Sequence, residues 1–127
     1  MKRAQFALEY LFIHGFALLV LIGLLSTVFV VESRASQDAR IQEAERIASH
    51  IQQEILLASS VRDGYRREIF LPASIHSHPY EIEISPTAVF VSVTDYQAVR
   101  SIPSVTANMT AGRNVITKEA GEVRIVS

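Results

Sequence analysis

The chain has 127 residues, with 12 Lys and Arg against 13 Asp and Glu, four His and no Cys. Its near-neutral balance, with the basic residues scattered, argues against the concentrated cationic surface that a nucleic-acid partner needs, and the lack of cysteine excludes disulfides and thiolate metal sites. Part of the length goes into one apolar run, which leaves too little for a large enzyme domain with a deep pocket and points to a structural or binding role.

The first element in chain order is KRAQFALEYLFIHGFALLVLIGLLSTVFVV. Between Leu11 and Val31 the only clearly polar side chains are His14, Ser26 and Thr27, and a run of about 20 apolar residues is what a membrane-crossing helix requires. The run is longer than the apolar part of a secretory signal, and Val30, Val31 and Glu32 offer none of the small residues of a cleavage site. Lys2 and Arg3 precede it with no acid beside them. The positive-inside bias then predicts a cytoplasmic N-terminus, with residues 32–127 outside.

Glu9 stands at the mouth of this run. One reading is an acid at headgroup level on an ordinary anchor, where the cost of charge is small. The other is an acid in need of a partner, because a lone carboxylate carried to mid-membrane depth costs about 2.5–3.5 kcal/mol. His14, one turn into the run, reads as a neutral imidazole bonded to backbone or to a neighbouring helix, against the alternative of a proton sensor. Gly15 and Gly23 do not have the four-residue interval of a close-packed helix dimer.

Beyond the run, ESRASQDARIQEAERIASHIQQEILLASS keeps a helical period, with Ile41, Ala44, Ala48, Ile51 and Ile55 at spacings of three and four. No Pro interrupts residues 5–60, and the first strong breaker is Gly64. The two stretches are expected to form one rod on the order of 80 Å. After Gly64 the period changes to two. PYEIEIS and AVFVSV read as a hairpin about Ser85, Pro86 and Thr87, and NVITK and EVRIV as a second hairpin about Glu119, Ala120 and Gly121. REIFLPASI is a further strand that Pro72 confines to an edge or makes irregular, and residues 97–113, broken by Pro103, read as a loop with one short strand at most. A sheet of about four antiparallel strands cannot stand alone in water, so it is expected to pack on the Ile41 to Ile55 stripe. The predicted fold is α+β: a long N-terminal helix, half membrane or stem and half amphipathic, packed on a small β-rich head.

His76 and His78 in SIHSHPY would point to one side of an extended segment, a metal-like spacing, but no third ligand lies nearby in sequence. Two ligands do not make a site, and the favoured reading is a polar turn ahead of the strand, with no metal expected. Asn108, Met109 and Thr110 form a sequon, open to N-glycosylation if the loop is exposed and extracytoplasmic. Glu81 and Glu83 share one strand face and read as solvated. No phosphate loop, nucleophile elbow or catalytic carboxylate pair is present, and no cofactor is expected.

Lys2, Arg3, Ala4, Gln5, Phe6, Ala7, Leu8, Glu9 and Tyr10, followed by the apolar run, resemble the N-terminal signal of archaeal type IV pilins of the class III signal peptide group. The resemblance covers about the first tenth of the chain and implies removal of a basic leader by a prepilin peptidase between Ala4 and Gln5. It also implies that Glu9 meets the freed amine of Gln5 in a neighbouring subunit of a helical homopolymer. The implied division is leader 1–4, apolar stem 5–31, amphipathic helix 32–63 and extracellular head 64–127. The implied life history is insertion in the cytoplasmic membrane, N-terminus inside, then assembly into an adhesive or surface-attached filament by an ATPase and a platform protein. The alternative from another class is a single-pass membrane protein whose β-rich head binds an extracellular ligand.

Overall fold

The computed structural model describes the whole chain, Met1–Ser127. A single helix α1 (Lys2–Ser60) is followed by β1 (Arg66–Leu71), β2 (Tyr80–Ser85), β3 (Ala88–Val93), β4 (Tyr96–Ser101), β5 (Thr106–Ala107), β6 (Gly112–Glu119) and β7 (Glu122–Val126). Two compact units divide the chain, Met1–Gln37 and Asp38–Ser127. The fold is α+β, with the second part of α1 packed on antiparallel sheets.

Within the second unit, α1 buries Ala44, Ile47, Ala48, Ile51, Glu54, Ile55 and Ala58. These positions recur at three and four residues, so they form one face of a 3.6-residue helix. Ile41, expected in that stripe, is only half-buried, while Ile47 joins it from within and Ala58 extends it toward the helix end. The stripe meets Ile69 and Leu71 of β1, Val89, Val91 and Val93 of β3, Ala98 of β4, Ile116 of β6 and Val123 and Ile125 of β7 in one core cluster.

The sheet arrangement corrects the expectation of one sheet of about four antiparallel strands. There are two sheets, one of order β1-β6-β7-β5 and one of order β2-β3-β4, and β5 runs parallel to β7. Residues 97–113 are likewise not mostly loop, because β4 pairs along its whole length with β3 from Val93↔Tyr96 to Ala88↔Ser101. The hairpin between them turns on Thr94 and Asp95, with Thr94 at φ 50°, a positive φ without the glycine or asparagine that usually announces it. β1 is an edge strand that stops before Pro72, as its proline requires. The β6–β7 turn is Ala120–Gly121, both at positive φ (51° and 81°), which is the geometry of a two-residue hairpin loop and suits glycine at the second position.

Helix α1 ends at Ser60 and its terminus is tied down by β6. Carbonyls in the last turn of a helix lack intrahelical donors. Lys118 Nζ donates to the carbonyls of Ser59 and Val61, each at 2.7 Å, placing a cation where the helix dipole is negative. Gly64 N donates to Lys118 O at 2.8 Å, Lys118 N to Tyr65 O at 2.9 Å, and Gly121 N to Asp63 Oδ1 at 3.0 Å. Close by in sequence, the fully buried Asn114 is satisfied by local backbone: its amide donates to Thr110 O and Gly112 O, and its Oδ1 accepts from Thr110 N.

Candidate functional site

Every residue of the first unit is exposed in the isolated chain, including all of Leu11–Val31. The helix there is long and apolar enough to cross a membrane by length and composition. Its three polar side chains close on their own helix. His14 Nδ1 donates to Tyr10 O at 2.9 Å, Ser26 Oγ to Ile22 O at 2.8 Å and Thr27 Oγ1 to Gly23 O at 2.9 Å. Each reaches back one turn, so none leaves an unpaired donor toward an apolar surround. The His14 ring also stacks, tilted, on Tyr10 with centroids 3.9 Å apart. Gly15 and Gly23 have no atom of this chain over them.

Glu9 is different. It takes part in no salt bridge within the chain, and it lies one helical turn from Gln5, on a surface they share with Lys2 and Phe6. Ala4 and Gln5 are themselves helical and exposed. Gln5 and Glu9 therefore share one face of α1, whereas His14 forms its own separate contact with Tyr10.

The other sequence candidates lie in the second unit. His76 and His78 are not in an extended segment. Ile75 and His78 bridge across a reversal in which His76 and Ser77 both have positive φ (47° and 65°), so the same-side spacing that suggested a metal is lost. His78 Nδ1 donates to His76 O at 2.8 Å, which leaves Nε2 to accept from Arg40 at 3.3 Å. No group of three or more His, Asp or Glu side chains stands close enough to hold a metal ion. Asn108 is exposed just past β5, and its backbone N donates to Ile125 O at 3.1 Å. Met109 is buried beside it and the Thr110 side chain is exposed. Glu81 and Glu83 are both exposed on β2.

Sequence reading missed the polar clamp that joins α1 to β4. Glu45 accepts from the Tyr96 hydroxyl with one oxygen and from Arg100 with the other, and Arg100 Nε reaches Ser49 Oγ at 3.4 Å. The bond to Glu45 holds the Tyr96 phenol above its ordinary pKa, with desolvation adding to it. Glu45 and Ser49 are one turn apart on a helix, a spacing that could have flagged them. Their partner strand was not visible, so the clamp was not either. Among known proteins, no protein-family model, no curated sequence and no solved structure matches this chain.

Proposed function

We propose that this chain is the structural subunit of a type IV pilus-like surface filament, of the archaeal class III kind, held first in a membrane and then polymerised through residues 5–31. One observation carries the reading. The apolar stretch is uncovered on all sides and its side-chain donors bond to their own helix, yet Glu9 at its edge has no partner within the chain. A polymer of such stems supplies what is missing: apolar neighbours all round, and the amine of Gln5 freed by cleavage after Ala4 as counter-charge for Glu9. A buried ion pair of this sort adds little net stability, but a subunit placed out of register leaves a charge unpaired, so the pair sets the stagger.

In this reading the chain is not an enzyme, and its partners are further copies of itself, a prepilin peptidase, an assembly ATPase and a platform protein. Adhesion or surface attachment is the role proposed for the filament. The membrane-anchored binding protein is the competing outcome, favoured by the position of Glu9 at the rim of the run, where charge costs least.

The test is the Glu9→Gln chain in the native host, which keeps shape and removes charge. Membrane insertion and removal of residues 1–4 are expected to persist, while sheared surface filaments fall sharply. Abundant normal filaments from Glu9→Gln, or a native N-terminal peptide whose mass begins at Met1 or Lys2, would sink the reading.

A further inference from the structure

The outer faces of the two sheets differ in charge and match in shape of pattern. On β1-β6-β7-β5, the register aligns Glu68, Val115 and Val126 in one row and Arg66, Thr117 and Arg124 in the next. Val126 is 63% exposed, and a shallow open groove of about 490 Å³ runs over Arg66, Arg113, Val115, Thr117 and Val126. Arg113 engages Glu68, and Arg124 approaches Glu122 at 3.8 Å, both in exposed bridges. Arg66 has no carboxylate partner. The acids Glu119 and Glu122 are confined to the β6–β7 hairpin end of this face.

On β2-β3-β4, the outward rows are Glu83, Phe90 and Val99, then Glu81, Ser92 and Gln97. Val99 is 45% exposed. Neither glutamate forms an ion pair, and the one arginine of β4, Arg100, is turned to Glu45 on the helix side. One face thus offers a valine strip beside three arginines, of which Arg66 is in no ion pair. The other offers a Phe–Val strip beside two glutamates equally without one.

We infer that these two faces are the halves of one interface between copies of this chain: the Arg66, Val115, Val126 face of one copy seats the Glu83, Phe90, Val99 face of the next. Opposite charges at the rim of an apolar strip select partner and orientation. Because the two halves are different patches, each copy keeps one of each free after docking, and the contact repeats without closing on itself as a two-fold dimer does. This deepens the filament reading, on which the open, repeating form of the contact rests. It also places Asn108, which follows β5 next to Val126, at the margin of the arginine face, so a glycan there would compete with the docking.

The natural absence of cysteine makes the test clean. Full-length chain carrying both Val99→Cys and Val126→Cys is expressed in the native host, treated on cells with a short bis-maleimide, and examined in sheared filaments and in membranes. A ladder of dimers, trimers and longer products is expected from the double variant. Dimers are expected when the two single variants are co-expressed, and monomer when either is expressed alone. Glu83→Arg or Arg66→Glu in the double-cysteine chain is expected to reduce the ladder about fivefold, with the two together recovering most of it.

Monomer alone from the double variant, or dimers from one single variant as abundant as those from the mixture, overturns the inference. Electron microscopy of sheared material from the unmodified chain separates the two ideas. Filaments without a ladder remove the interface and leave the filament, whereas a ladder in membranes without filaments does the reverse.

Discussion

Residues 11–31 and residues 44–58 belong to one continuous helix, yet nothing in the first stretch is buried and seven side chains in the second are. The difference is angular. In the second stretch the apolar residues other than the exposed Leu56 and Leu57 fall on one stripe, which the two sheets cover; in the first they lie at every azimuth, so covering them takes an apolar surround on all sides. A small β-rich unit cannot provide that, and a bilayer or a ring of identical helices can. Cover for the second stretch comes from this chain, and nothing in this chain covers the first.

The sharpest way to break this contrast is to place the same acid in each stretch. Ile51→Asp puts a charge into a site with no exposure and is expected to cost about 3–5 kcal/mol, comparable to a small domain's whole stability. Thermal unfolding of the full chain in detergent, followed by near-UV circular dichroism, should lose its cooperative transition. Leu21→Asp should leave that transition where it was and instead cost about 3 kcal/mol in membrane insertion. Equal loss of head structure from both changes would mean the two stretches are not independent in the way their burial indicates.

Asn114→Ala is expected next, at about 2–3 kcal/mol, because it empties a fully buried position and removes its bonds to the backbone of Thr110 and Gly112. The same melt reads it. Lys118→Met keeps the aliphatic stem and removes two bonds to the helix end; about 1–2 kcal/mol is expected, together with faster amide exchange confined to the last turn of α1.

The smallest effect is alkaline. Burial pushes the Tyr80 phenol from 10.0 up to about 12, and its hydroxyl donates to Pro72 O at 2.6 Å. A raised pKa in the folded chain means that the contribution is whole below pH 10 and is lost as pH climbs from 10 to about 12. Tyr96, raised by its bond to Glu45, acts in the same direction. Melting temperature should fall across that range, and Tyr80→Phe should flatten the fall. A profile unchanged by Tyr80→Phe would assign the alkaline loss to other groups.

Periodicity was enough to read the helix, its apolar and amphipathic parts, and the strands whose inward residues are Val or Ile, because burial on one face writes its period into the chain. β4 was hidden because Tyr96, Gln97, Ala98, Val99 and Arg100 alternate without an apolar contrast, and the Thr94–Asp95 turn lacks the usual glycine. Division into two sheets was not legible for a different reason: β1 pairs with β6 from Arg66↔Thr117 onward, and backbone hydrogen bonding between distant segments leaves no side-chain signature. Glu9 stood out in the sequence by charge alone, and the structure adds that nothing in the chain neutralises it. For His76 and His78 the sequence favoured the polar turn that the structure shows and left an extended pair open beside it, because the positive φ values at His76 and Ser77 have no marker in those residue types.

The lysine tie at the end of α1 also has a mechanical side. Besides its shared core and the Glu45 clamp to β4, α1 is joined to the sheets at its end by two routes, the short covalent link 61–65 into β1 and the two Lys118 bonds into β6. Antiparallel ladder bonds stand across the strands, so a pull along β1 loads its six paired positions with β6 together, in shear, instead of opening them one after another as a zipper would. Both routes converge on β6, an interior strand of its sheet flanked by β1 and β7. A force carried through the end of α1 is thus shared with a strand that is paired on both sides.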